Sequence, residues 1–133
     1  MSKTTHTSGK RKRAIARATI AEGKGIVRIN HQLLETYEPR MARMRIMEPL
    51  LLGAEVAKKV DIDVNVVGGG QQGQADAVRL AIAKGLVQFS KNKQLKQDFL
   101  QYDRNLLIAD VRRGESSKPN DSKPRKARQK SYR

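Results

Sequence analysis

The sequence predicts an α+β fold: a two-layer α/β sandwich with one mixed sheet of about four strands and its helices on one face. Three observations carry this. Small and branched apolar residues alternate over Ala14–Ile20 and again over Val60–Val66, the two-residue period of a half-buried strand. Apolar residues recur at three- and four-residue steps over Ala75–Phe89, the period of a packed helix. The element order is strand, strand, helix, strand, helix, helix, strand, which suits two layers around one core.

Each element has its own signal. Lys12–Ala21 reads as a strand, with Ala14, Ala16, Ala18 and Ile20 on one face and Ile15, Arg17 and Thr19 on the other. Glu22-Gly23-Lys24-Gly25 is a turn, because its glycines permit positive φ. Ile26–Asn30 is a second strand, and the two are expected to form a hairpin. Leu33–Tyr37 is a short helical turn. Pro39 can open one helix and Pro49 the next, since proline is tolerated in a first turn. Glu48–Val60 then reads as helix. Val60–Val67 is the third strand. Gln74–Ser90 is the strongest helix and Lys93–Tyr102 a more polar one. Leu106–Val111 is predicted as a short apolar strand. After Gly114 no apolar period remains, and residues 115–133 cannot bury enough surface to offset their ordering entropy. The chain is therefore expected to divide into a body, 1–114, and an extended basic tail, 115–133.

Composition narrows the function. The chain has 133 residues and carries 28 Lys and Arg against 13 Asp and Glu, a formal charge of +15. Residues 1–17 hold +6 and residues 110–133 hold +6, while the long middle holds only +3. Such a distribution describes a nearly balanced body with two cationic arms, and the arms call for a polyanion. Without cysteine there is no disulfide framework, thiolate metal site or Cys nucleophile. His6 and His31 are far apart and lack a metal-ligand spacing. No G-x-S-x-G elbow exists for hydrolysis. No apolar run approaches the roughly 20 residues of a membrane span. The acid-free, Ser/Thr/Arg-rich opening mimics a mitochondrial transit peptide, but from Ala14 it alternates as a strand does. No enzyme, cofactor, metal site, membrane or small-molecule substrate is expected.

Gly68-Gly69-Gly70-Gln71-Gln72-Gly73 matches G-x-G-x-x-G between a predicted strand and a predicted helix. Three readings compete. A dinucleotide site needs an acid ending the next strand about 20 residues on; Lys91-Asn92-Lys93 stand there instead. The glycines can serve only a tight turn. Or the backbone N–H groups and helix dipole can hold a nucleic-acid phosphate. Arg79 either pairs with Asp76 one turn away or points at that phosphate. Lys10-Arg11-Lys12-Arg13 is either an RNA-binding arm or a solvated cationic terminus that mimics a nuclear-import signal. Arg17 and Arg28 can point from the open sheet face toward a partner. With two Phe and three Tyr, base stacking is a weak mode, so affinity should come from phosphates and RNA shape.

Several segments together carry a resemblance. They are Thr7-Ser8-Gly9-Lys10-Arg11-Lys12 leading into Ala14-Ile15-Ala16-Arg17-Ala18, and Gly25-Ile26-Val27-Arg28-Ile29-Asn30. Met47-Glu48-Pro49-Leu50, Val60-Asp61-Ile62-Asp63-Val64, Gly68-Gly69-Gly70 and Gly73-Gln74-Ala75 follow. Ala81-Ile82-Ala83, Tyr102-Asp103-Arg104 and the ending Arg128-Gln129-Lys130-Ser131-Tyr132-Arg133 complete the set. In this order they resemble the universal small-subunit ribosomal protein nine family, in its archaeal and eukaryotic form. The resemblance implies a fold like the second domain of small-subunit ribosomal protein five. It implies a structural role in cytoplasmic ribosomes, on ribosomal RNA in the small-subunit head beside other ribosomal proteins. It also implies a tail that meets the anticodon stem-loop of the P-site transfer RNA.

On this view ribosomal RNA would be met by Lys10, Arg11, Lys12, Arg13, Arg17 and Arg28. The glycine loop would add Gly68, Gly69, Gly70, Gly73, Gln74 and Arg79, and the tail Lys123, Arg125, Lys126 and Arg128. Lys130, Ser131, Tyr132 and Arg133 would meet transfer RNA. The rivals are a nucleotide-dependent enzyme built on the glycine loop, and an RNA-annealing or assembly factor that leaves mature subunits. The first is open to direct test. Equilibrium dialysis with ATP, GTP and NAD should show no saturable binding; micromolar binding of any one of them would restore the nucleotide reading.

Overall fold

The computed structural model describes residues 3–117, 119 and 123–125. Five strands form one mixed sheet: β1 (Thr4–Arg11), β2 (Ala14–Glu22), β3 (Val27–Ile29), β4 (Gln32–Leu33) and β5 (Val60–Val67). Their spatial order is β1-β2-β5-β3-β4, with β3 parallel to β5 and the other pairs antiparallel. Four helices complete the fold: α1 (Arg40–Leu52), α2 (Ala54–Ala57), α3 (Gln71–Ser90) and α4 (Lys93–Tyr102). The α+β class and single mixed sheet are as predicted; the strand count is one higher.

The alternating strands fall as their period requires. Ala14, Ala16, Ala18 and Ile20 of β2 and Val60, Ile62, Val64 and Val66 of β5 are buried against the helices. Arg17, Asp63 and Asn65 are exposed on the opposite face. α3 packs on β1, β2 and β5, and α1 and α4 pack on α3. With neighbours on several sides, α3 buries Ala75, Ala77, Val78, Ala81, Ile82 and Leu86. Phe99 of α4 and Leu106 plug its far side and are fully buried, each contributing roughly 1.5–3 kcal/mol. Asn92 caps α4 by accepting the N–H groups of Gln94 at 3.0 Å and Leu95 at 3.4 Å.

Four expectations are corrected. β1 is not predicted from sequence, because Thr4–Arg11 has no apolar alternation. It forms the hairpin with β2, turning at Lys12-Arg13. The expected hairpin of Lys12–Ala21 with Ile26–Asn30 does not form, because β5 lies between β2 and β3. The Asp61 carboxylate on β5 accepts the backbone N–H groups of Lys24 at 2.9 Å and Ile26 at 3.1 Å. These bonds draw the Glu22–Gly25 turn across β5 and hold the Asp61 carboxyl below its usual range. Pro49 does not open a helix. It lies buried inside α1, which starts after Pro39 and stops at Gly53. Leu106–Val111 is not a strand: Asp103 accepts the Asn105 N–H at 2.9 Å and winds Arg104–Leu106 into a 3-10 turn.

One close approach sets the layer spacing. A Cβ on Gly9 would lie 2.3 Å from the Ala77 carbonyl oxygen and 2.8 Å from the Ala81 nitrogen. Only glycine lets β1 lie on the α3 backbone there. Two residues before it, the Thr7 hydroxyl donates to the Ala81 carbonyl at 2.8 Å. Gly9→Ala should therefore destabilise the fold by about 2–3 kcal/mol in denaturant unfolding. At Gly70 a Cβ would meet nothing within 4 Å, so Gly70→Ala should cost less than about 1 kcal/mol. Equal costs at the two positions would contradict this packing.

Candidate nucleic-acid interface

The β1–β2 turn and the β5–α3 glycine loop meet at one end of the sheet. Gly68 and Gly69 adopt φ of +81° and +67°. A Cβ on Gly68 would come 2.6 Å from the Arg13 carbonyl oxygen, and one on Gly69 3.1 Å from the Ala14 nitrogen. These two glycines serve the turn and its packing. Gly70 is extended and precedes α3 without a side-chain cap. The first N–H groups of α3, from Gln71, Gln72 and Gly73, thus open the helix, and its dipole adds partial positive charge. Gln74 braces the loop, donating its side-chain amide to the Gly68 carbonyl at 3.1 Å. The glycines differ by position: Gly68 and Gly69 build the turn, Gly73 lies in ordinary contact with the Arg11 carbonyl and Ala14, and Gly70 has open space before it.

The helix start borders a cleft of about 890 Å³ lined by Arg11–Arg13, Gly69–Gly73 and residues 113–117. Lys12 and Arg13 are exposed at the hairpin turn, and Arg113 lines the same cleft. The Arg113 guanidinium donates to the Lys12 carbonyl. Cationic side chains and backbone N–H groups converging in this way fit an anion, and their spread fits a polyanion better than a single ion. The dinucleotide pattern asks for a strand after α3 that ends in an acid; among the described residues α3 is followed by α4 instead.

The other predicted residues are distributed unevenly. Lys10 is exposed on the outer sheet face. Arg11 points inward, 3.8 Å from Asp76 and 3.6 Å from Asp110. The expected Asp76–Arg79 pair does not form. Asp76 meets Arg11 and Arg45, while Arg79 reaches Glu48 on α1 and, at 3.1 Å, Asp103. The Arg79 Nε is buried and finds no acceptor among the described residues. Arg11 and Arg79 therefore come to any phosphate already paired with carboxylates. Arg17 and Arg28 are exposed on the outer sheet face, outside the cleft, with Arg28 in register with Asp63. In the tail, Lys123 and Arg125 are exposed, and the Arg125 Nε donates to Glu115 at 2.6 Å. Lys126, Arg128, Lys130, Ser131, Tyr132 and Arg133 lie outside the described residues. Sequence reasoning missed the root of the tail, where residues 113–117 line the cleft. The adjacent Arg112-Arg113 pair was its only visible signal.

A sequence model of the ribosomal protein S9/S16 family matches residues 9–133. The chain belongs to this family. A small ribosomal subunit protein uS9 from Methanococcus vannielii is 50% identical over 133 residues, covering 98% of this chain and 99% of its own length. The protein of that name from Methanothrix thermoacetophila is 50% identical over 131 residues, with the same coverage. The S9/S16 family consists of ribosomal components, not enzymes. Among the described residues no helix is long and apolar enough to cross a membrane.

The pairing of Arg79 with two elements gives it a bracing role. Arg79→Gln should lower stability by about 1–3 kcal/mol, because it strands partly buried carboxylates. It should leave the salt dependence of RNA binding unchanged. A slope reduced by about 0.9 with intact stability would instead make Arg79 a phosphate contact.

Proposed function

We propose that this S9/S16-family chain is a structural RNA-binding protein of the small ribosomal subunit. It is seated on ribosomal RNA in the subunit head, among other head proteins, in ribosomes of the cytoplasm. Its C-terminal tail reaches the anticodon stem-loop of the P-site transfer RNA during translation. One observation carries this reading. The basic hairpin turn, the uncapped start of α3 and the root of the basic tail surround a single cleft. The names of its relatives favour the small subunit. The two-layer body is the arrangement expected from a likeness to the second domain of small-subunit ribosomal protein five.

Lys12, Arg13 and the cleft then take RNA phosphates, replacing counterions, and the body 1–114 fixes where each arm enters. Lys10, Arg17 and Arg28 add a second basic surface on the outer sheet face. From Gly114, a tail of about 20 residues at ~3.3 Å each spans roughly 65 Å. The body's radius of gyration is near ~13–14 Å, so the tail can serve a site remote from it. Lys123, Arg125, Lys126 and Arg128 line its path on ribosomal RNA, and Lys130, Ser131, Tyr132 and Arg133 meet transfer RNA.

Deleting Lys123–Arg133 removes six cations and, by its sequence pattern, no predicted core residue. Subunits carrying the deletion should assemble and retain the protein through a high-salt wash, but release P-site transfer RNA faster. Because Lys130 and Arg133 can each neutralise one transfer RNA phosphate, removing both should lower the log–log salt slope by at most ~1.4. Unchanged dissociation from intact subunits would remove transfer RNA from the proposal. Loss of the full-length chain from washed subunits would favour a transient assembly factor.

A further inference from the structure

Asp110 is the only carboxylate between Asp103 and Glu115, and it stands in the most RNA-directed part of the chain. A bare carboxylate there would repel phosphate. Its surroundings show another use. Its Oδ1 accepts the backbone N–H of Arg112 at 3.0 Å. The Arg112 guanidinium grips both carboxylate oxygens, with Nη2 at 2.7 Å from Oδ2 and Nε at 3.0 and 3.1 Å. From the body, Arg11 Nη2 lies 3.6 Å from the same Oδ2. Arg112 holds the Asp110 carboxyl well below the usual carboxylate range. The exchange continues in both directions: Arg11 donates to the Arg112 carbonyl at 3.2 Å, and Arg113 donates to the Lys12 carbonyl. The hairpin and the tail root are thus stitched together by side chains reaching each other's backbone. Arg11 is itself fixed by Asp76 on α3.

We propose that Asp110 is the positioning residue of the interface: it clamps the tail root to the β1–β2 hairpin and so builds the second wall of the cleft. The clamp keeps residues 113–117 in the cleft that they line together with the start of α3. It also fixes the point on the body from which the tail departs. Fixing that point shortens the free linker and raises the effective concentration of the tail end at its target. The inference rests on the RNA-binding reading for its consequence, but the clamp itself is measurable without RNA.

Asp110→Asn keeps the shape and removes the charge. On charge alone it would strengthen RNA binding, since the chain gains a unit of net positive charge. Loss of the clamp acts the other way, so affinity for small-subunit ribosomal RNA should fall about two- to fivefold, as for one screened ion pair. Thermal stability should be unchanged, and Asp110→Glu should restore part of the affinity. For the clamp alone, spin labels go on Cys substituted at Gln72, at the start of α3, and Ser116, in the tail root, which line the same cleft. The native chain has no cysteine to interfere. The parent should give a short, narrow distance distribution; Asp110→Asn and Arg112→Gln should each broaden and lengthen it. Unchanged distances, or tighter RNA binding by Asp110→Asn, would overturn the proposal. Parent chain that keeps its narrow distances but fails to bind the RNA would overturn the RNA-binding reading instead.

Discussion

The contact of β1 with the backbone of α3 is the constraint on which the rest depends. At Gly9 the strand approaches so closely that a methyl group would strike the Ala77 carbonyl and the Ala81 nitrogen. β1 is an edge strand with no apolar pattern of its own. It stays because glycine admits the helix and Thr7 bonds to it. That docking carries the Lys12-Arg13 turn to the start of α3, where the turn packs on Gly68 and Gly69. Without it, the hairpin cations and the helix N–H groups would not share a cleft.

The charges divide into two populations around that frame. Arg11, Arg45 and Arg79 meet Asp76, Glu48, Asp103 and Asp110, and in doing so tie together β1, α1, α3 and the segment after α4. Lys10, Lys12, Arg13, Arg17 and Arg28 are exposed, with no ion pair among the described residues. Acids in this strongly basic chain thus serve partly as mortar. They neutralise the cations nearest the core and leave those at the periphery for a polyanion. Net charge alone would not separate the two populations; the geometry does.

The legible parts of the sequence were those where one period governs one surface. Ala14–Ile20 and Val60–Val66 each face a single layer, so alternation located them. α4 was placed only as a more polar helix; its Asn92 cap emerges from the structure. β1 was illegible because Gly9 and two threonines, not apolar side chains, make its inward face. The false hairpin arose because turn glycines say nothing about which strand lies next. That was decided by Asp61, some thirty-five residues away. Pro49 misled because its missing hydrogen bond is compensated by burial within α1. Of the site, the glycine loop and the hairpin cations were legible by type and position. Arg11 and Arg79 were legible as cations but not as paired ones, since their carboxylates come from distant segments.

On the proposed function, the placement of the tail root bears on how the chain would recognise RNA. With few aromatic residues it has little means of reading bases by stacking. Phosphate contacts position a protein without reading sequence, so specificity must come from the spatial relation between contacts. That relation is rigid only where the backbone is held. The hairpin turn is held by Gly68 and Gly69, the helix start by the sheet, and the tail root by Arg11, which meets Asp110 and the Arg112 carbonyl, and by Arg113. Three cationic or dipolar elements at fixed mutual positions can match one arrangement of folded RNA strands and reject others. On the proposed function, the tail would start from this same cluster, so the body's seat on the RNA would set its point of departure.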